Sequence, residues 1–449
     1  PRGWQAATAM SPVRVDAPGR GTYEAADYDE LADHPVELGT FWRGRFEARG
    51  VPHEFVVAGA LPDFDGERLL ADTKRICETA IAFWHGRKAP PFQRYVFMLN
   101  AVDDGYGGLE HRASTALIAA RRDLPQRERR ELSDAQVTLL GLISHEYFHT
   151  WNVKRLKPRD FAPLDYTREN YTELLWFFEG FTSYYDDLLL VRAGLIDEAR
   201  YLKLLAKTIS GVLGTPGRQV QSVAQASFDA WVKYYRGDEN TPNATVSYYT
   251  KGSLVALALD LTLRSGGSGT LDDVMRALWA SSGGGPISEA DIAQALDAVA
   301  GRSLARGLHA FVHGTDDLPL AELLQRFGVD WQHQPATAAQ RLGLRASESA
   351  LTGVKATHVL RGGAAEAAGV CAGDELLAVD GWRIRRLDDA LRLLEPGVAS
   401  PLLVSRDQRV LSLTLELPGA QAAAGNVTVA PDARPARAAT ALRRAWMSG

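Results

Sequence analysis

The chain has 449 residues, 46% of them hydrophobic and 23% charged, with a formal net charge of −5. That length exceeds a single core and predicts about two to four domains, and the composition is that of a globular protein rather than a disordered or fibrous one. Slight acidity gives no footing for nucleic acid, and basic runs such as Arg127-Glu128-Arg129-Arg130 are broken by acids and read as solvated helix surface.

In chain order, residues 1–55 alternate and carry turn residues such as Ala17-Pro18-Gly19, which suits short strands. Leu69, Leu70, Ile76, Ala80, Ile81 and Phe83 recur at helical spacing and predict a helix over 66–84. Strands are expected over 95–99 and 113–118, with a glycine-bearing run, Gly105 to His111, between them. Ser133-Asp134 caps a predicted helix over 134–152, and an apolar helix follows over 169–193. Residues 201–327 read as mainly helical. They include a long Gly/Pro/Asp/Asn-rich loop, 214–243, expected to border a cleft, and a Leu/Ala-rich helix over 253–264. The region 340–417 changes character, with short strands at 354–360, 375–379 and 401–404 and short helices at 364–368 and 387–394. The Ala/Arg-rich end reads as a loosely held tail, with helical character over 436–447. Sheet first and helices second is an α+β layout. Cys77 and Cys371 lie far apart without metal-site spacing; both are expected to be buried or half-buried thiols outside any disulfide framework. No apolar run reaches transmembrane length, no signal peptide is visible, and a cytoplasmic location is expected.

Chemistry concentrates in His145-Glu146-Tyr147-Phe148-His149. Four residues are about one helical turn, so both imidazoles share a face and can chelate one zinc ion, with Glu146 beside them as general base toward a water. Hydrolytic zinc takes a third protein ligand, and Glu179, among aromatic and aliphatic residues, is the candidate. A salt bridge from Glu179 to Lys154 or Arg155 is the plain alternative. Tyr249 is a candidate phenol for an oxyanion, or else an ordinary tyrosine with a satisfied hydroxyl. Gly107 and Gly108 permit close backbone approach to a ligand, and Glu110 is suited to a substrate ammonium group unless it is a solvated loop acid. His111 is a rival metal ligand or a polar contact. Lys154, Arg155 and Asp186 are candidate partners for the histidines.

Several runs carry a family resemblance: 145–155 (His-Glu-Tyr-Phe-His-Thr-Trp-Asn-Val-Lys-Arg), 175–185 (Leu-Trp-Phe-Phe-Glu-Gly-Phe-Thr-Ser-Tyr-Tyr) and 227–235 (Ser-Phe-Asp-Ala-Trp-Val-Lys-Tyr-Tyr). Over about 22–417 the chain resembles the glycyl aminopeptidase family, PDZ-bearing zinc peptidases of the gluzincin group. The resemblance implies a thermolysin-like zincin domain over 56–330 behind a remnant of an N-terminal β-domain, 1–55. It implies one zinc per chain on His145, His149 and Glu179, Glu146 as base, Tyr249 as transition-state phenol and Glu110 as amine anchor. Peptides with a free N-terminus, glycine before alanine, are the implied substrates. The run 369–381 resembles the core of a bacterial PDZ domain, placed over 338–418 and followed by the tail, 419–449. Such a domain takes a C-terminal peptide by strand addition, with Gly343 and Leu344 as the expected carboxylate loop. An endopeptidase recruiting protein C-termini and a non-catalytic PDZ adaptor are the alternatives. A start at Pro1 and the shortened β-domain are expected of a fragment or processed form.

Overall fold

A computed structural model describes residues 2–351, 353–419 and 424–449. Thr352, inside the expected PDZ span, and 420–423, inside the expected tail, lie outside the described residues. The N-terminal segment holds β1 (Gln5–Ala7), a hairpin of β2 (Ser11–Val15) and β3 (Gly21–Glu24), α1 (Tyr28–Ala32) and β4 (Glu37–Gly39), which pairs back with β1.

Next comes a five-stranded mixed sheet built from β5 (Trp42–Ala48), β6 (Val51–Ala58), β7 (Tyr95–Val102), β8 (Tyr106–Glu110) and β9 (Ser114–Ala120), in the order β5-β6-β7-β9-β8. The expected domain boundary at residue 55 therefore falls inside β6, which pairs in parallel with β7. β7 is an almost unbroken apolar run because both sheet faces are covered. α2 (Gly66–His85) and α3 (Asp134–Phe148) join that core; α3 starts at a Ser133/Gln136 capping box. α3 is buried almost all round, held between the sheet and α4 (Leu175–Arg192).

Beyond α5 (Glu198–Leu213), the glycine-rich stretch expected as a loop folds into short helical turns. These are Pro216–Gln219, α6 (Val223–Phe228) from a Ser222/Gln225 capping box, the wide turn Ala230–Tyr234, and α7 (Thr241–Ala244). α8 (Thr250–Gly266) crosses α4 at bare backbone: a Cβ on Gly180 would stand 2.6 Å from Gly252 Cα. Two glycines are needed where the helices meet.

Strand Val329–Pro335 pairs antiparallel with Ala424–Pro431, and the PDZ-like unit is inserted between them. Its strands Leu344–Ser349, Gly353–Val359, Glu375–Val379, Ala399–Arg406 and Arg409–Glu416 lie in that order in one sheet, around a separate core. The chain end corrects the loose-tail expectation. Helix Arg437–Ser448 packs on the main core, where Trp446 is fully buried and its indole N–H donates to the Tyr184 hydroxyl at 2.8 Å. Ala/Arg composition hid two apolar anchors, Trp446 and Met447, at the helix end. Cys77 is buried as expected, but Cys371 is exposed, on a turn of the PDZ-like unit. Among the described residues no helix is long and apolar enough to cross a membrane.

Candidate metal centre

α3 delivers His145 and His149 one turn apart, with ring centroids 4.6 Å from each other. α4 packs against α3 and brings Glu179 Oε2 to 3.3 Å from His145 Nε2 and 3.1 Å from His149 Nε2. Both imidazoles are oriented from behind. His145 Nδ1 donates to Asp186 Oδ2 at 3.0 Å, and His149 Nδ1 donates to the Asn152 carbonyl at 2.8 Å. Asn152 in turn donates its side-chain amide to Phe178 O and Thr182 Oγ1 on α4. With each Nδ1 committed as a donor, both Nε2 atoms face the Glu179 carboxylate: protonated, they donate to it, and on losing those protons they would offer lone pairs to a cation at the same point. Two imidazole nitrogens and one carboxylate oxygen, all within 4.8 Å of one another, match the donor set of a three-protein-ligand zinc site.

Of the three proposed partners for the histidines, only Asp186 serves. It lies two turns beyond Glu179 on α4, a spacing that puts both carboxylates on one face. Lys154 is drawn away to Asp33 at 2.7 Å, and Arg155 donates to the carbonyls of Arg112 and Thr150. Neither pairs with Glu179.

Glu146 is buried, and its Oε2 has no hydrogen-bond partner among the described residues. Burial pushes its pKa up to about 7, the histidine charges oppose the rise, and Glu110 and Glu179 add to it. Burial acts the same way on Glu179, yet the charges of and hydrogen bonds from His149 and His145 outweigh it and hold that carboxyl well below its usual range. Against Glu146 lies edge strand β8. A Cβ on Gly108 would sit 2.1 Å from Glu146 Oε1, so only glycine lets the strand approach this closely. Neighbouring Gly107 has a φ of 158°. At the end of β8, Glu110 shares a second cluster with Glu146 and His149, again within 4.8 Å. His111 turns away from the centre, its Nδ1 toward Asp33 at 3.4 Å, because the hairpin to β9 reverses there.

The Gly180–Gly252 contact sets the start of α8 beside α4. It places the Tyr249 ring 6.2 Å from the His145 ring. Burial and the Glu179 charge raise the Tyr249 pKa, so the phenol stays protonated and able to donate. Tyr235, from the stretch expected to border a cleft, has its hydroxyl 3.4 Å from that of Tyr249. The sequence reading did not single out Asn152, Asp33 or Tyr235. Asn152, three residues past His149, carried a local signal; Asp33 carried none.

In the PDZ-like unit, Gly343 closes a helical turn at φ +64°, and its carbonyl accepts from Leu360 N at 2.8 Å. Leu344 opens a strand that forms one edge of the sheet. Asn243, on α7, bridges to this unit by donating to Val359 O at 2.8 Å and accepting from Arg361 N at 2.9 Å.

A peptidase fold with a convergent His-His-Glu centre thus precedes a PDZ-like unit. Family models agree: the M61 glycyl aminopeptidase matches residues 138–255, the peptidase M61 N-terminal domain 1–40, and a PDZ domain 356–406. The crystal structure of an aminopeptidase N family protein from Idiomarina loihiensis is 35% identical over 99% of this chain and 77% of that one, with a TM-score of 0.90. The chain belongs to the M61 glycyl aminopeptidase family. An M1 zinc metallopeptidase from Deinococcus radiodurans is also similar, at 15% identity over 71% of this chain and 63% of that one, with a TM-score of 0.46. No curated protein matches the chain.

Proposed function

We propose that the chain is a zinc-dependent aminopeptidase of gluzincin type, hydrolysing the first peptide bond of peptides with a free N-terminus. His145, His149 and Glu179 would hold one zinc ion in a thermolysin-like catalytic domain. Bound zinc supplies a Lewis acid and lowers the pKa of water toward neutrality. Glu146 takes the proton of the attacking water and returns it to the leaving amine, a role its unpartnered Oε2 supports. The protonated phenol of Tyr249 donates to the oxygen on which charge develops. Glu110 pairs with the substrate ammonium, which makes the reaction one of chain ends. Gly107 and Gly108 leave room for the substrate backbone beside β8. The name of the matching family model, glycyl aminopeptidase, supports a preference for N-terminal glycine, and alanine is proposed as the next-best residue.

One observation carries this reading. Glu110 and Glu146 share His149 with the triad, so the amine anchor and the base converge on one point of the candidate zinc site. The test combines metal analysis with hydrolysis of paired chromogenic substrates. One zinc per chain and cleavage of free but not N-acetylated glycyl and alanyl substrates are expected. Equal rates on the acetylated partners would make the enzyme an endopeptidase, and a metal-free, inactive chain would leave a PDZ adaptor.

For the PDZ-like unit, an extended C-terminal peptide pairing along Leu344–Ser349, with its carboxylate at Gly343 and Leu344, is the proposed ligand; the edge position of that strand supports it.

A further inference from the structure

We propose that Asp33, in the N-terminal segment, is a positioning residue that sets Glu110 for the substrate's ammonium group. The inference rests on the amine-anchor reading of Glu110.

Glu110 ends edge strand β8, and the chain reverses at once: His111 N donates to Ser114 O at 3.0 Å and β9 begins. Edge strands end without support on one side, so something else must fix this turn. Asp33 does so. It caps the C-terminal end of α1, is 7% exposed, and accepts from Arg112 N at 2.9 Å and His111 Nδ1 at 3.4 Å. The oxygen that faces His111, Oδ1, also meets Lys154 Nζ at 2.7 Å, on the segment just after the histidine motif. Arg155 closes the circuit by donating to Arg112 O at 3.0 Å and Thr150 O at 2.7 Å. Asp29 and Tyr166 add an outer layer, Asp29 pairing with Arg112 and with the Tyr166 hydroxyl.

One buried carboxylate thus ties three distant segments together: α1, the turn after Glu110, and the stretch leaving α3. The Glu110-to-His149 distance is a property of that tie. Asp33 itself touches none of the three candidate ligands, and Lys154 reaches His149 only through its backbone, N to O at 3.1 Å, so loosening the side-chain tie is expected to move the amine anchor and leave the metal triad in place. A carboxylate displaced by a fraction of an ångström binds an ammonium group less well in the ground state, which is a KM effect.

Asp33→Asn keeps the shape and removes the charge. Measured on alanyl-p-nitroanilide with the zinc-loaded full chain, it is expected to raise KM about tenfold with kcat within about twofold. Metal content stays unchanged. In a Glu110→Gln background the same substitution is expected to add less than about twofold, because both act through one contact. Should Asp33→Asn not fold, Lys154→Met is read by the same criteria, with an expected KM rise of about threefold. Multiplying effects in the double variant, or a fall in kcat at constant KM, would overturn the proposal and leave the Glu110 reading standing. A Glu110→Gln enzyme with unchanged KM would overturn both.

Discussion

The two walls of the candidate cleft are held by different forces. On the helical wall, α3, α4 and α8 meet in a dry core, with backbones touching at Gly180 and Gly252 and Phe148, Trp176, Phe177, Phe178 and Tyr185 fully buried around them. On the strand wall, β8 is a sheet edge whose last turn is held from outside by Asp33, Lys154 and Arg155. The groups proposed to share a metal sit on the first wall, where close packing holds them in place. The group assigned to substrate recognition sits on the second, where polar contacts set its place. Metal binding and substrate binding should therefore fail separately.

The sharpest separation is within the helical wall itself. Glu146→Gln is expected to lower kcat by about 10²–10⁴-fold, the usual worth of a general base, while zinc content by elemental analysis stays at the level of the parent. Normal turnover would remove Glu146 as base. Retained turnover together with lost metal would contradict both the assignment and the separation.

Next comes the back of that wall. Trp446 fills the outer side of α4 and α8 and donates to Tyr184, which itself donates to Asp260 at 2.6 Å. Truncation to alanine is expected to cost about 3–5 kcal/mol of stability, read as a lower denaturation midpoint, with KM at moderate temperature unchanged. A KM change without a stability loss would mean the C-terminal helix acts on the strand wall instead.

Asp186→Asn probes how the histidines are oriented. The amide keeps the shape and loses the charge that favours Nδ1–H on His145, and zinc affinity is expected to fall about 10- to 100-fold in chelator competition. An unchanged affinity would assign the orientation of His145 to packing alone.

These walls also differ in how far the sequence disclosed them. His145, His149 and Glu146 are legible because a helix converts spacing into direction, and the core strands and helices follow from periodicity. Glu179 is legible because a carboxylate amid Trp176, Phe177 and Phe178 demands a partner. Asp186 was one of three choices, and only the packing of α4 on α3 selects it. Asp33 was invisible, since its role depends on where an acidic stretch of residues 27–33 docks more than seventy residues away. The same holds for the chain end, where β pairing of Ala424–Pro431 with Val329–Pro335 and the burial of Trp446 are long-range events that Ala/Arg composition masks. The 214–243 stretch misled for a local reason: glycine and proline marked turns, but capping at Ser222 makes those turns helical.

The smallest expected effect tests the joint between the walls. His53 on β6 is 1% exposed and bridges the sheet to α3: its Nδ1 donates to Val51 O at 2.9 Å, so its Nε2 accepts from the Tyr147 hydroxyl at 2.8 Å. The rings packed on it belong to Phe46, Phe92, Tyr95 and Tyr147. Burial lowers its pKa from 6.5 to about 4, against the weaker pull of the Val51 carbonyl. Between those values the unfolded chain binds a proton that the native chain refuses. Stability is therefore complete above about pH 6.5, declines as the pH falls toward 4, and levels off below it as far as this group is concerned. At pH 5.5 the loss from His53 is about 1.4 kcal/mol, one pH unit below the unfolded value. In His53→Gln the amide can donate to Val51 or accept from Tyr147 without titrating, so the variant is expected to be less stable at neutral pH but flatter between pH 7 and 5.5. Parallel denaturation midpoints for parent and variant across that interval would place the acid sensitivity elsewhere and cut the link drawn here between β6 and the motif helix.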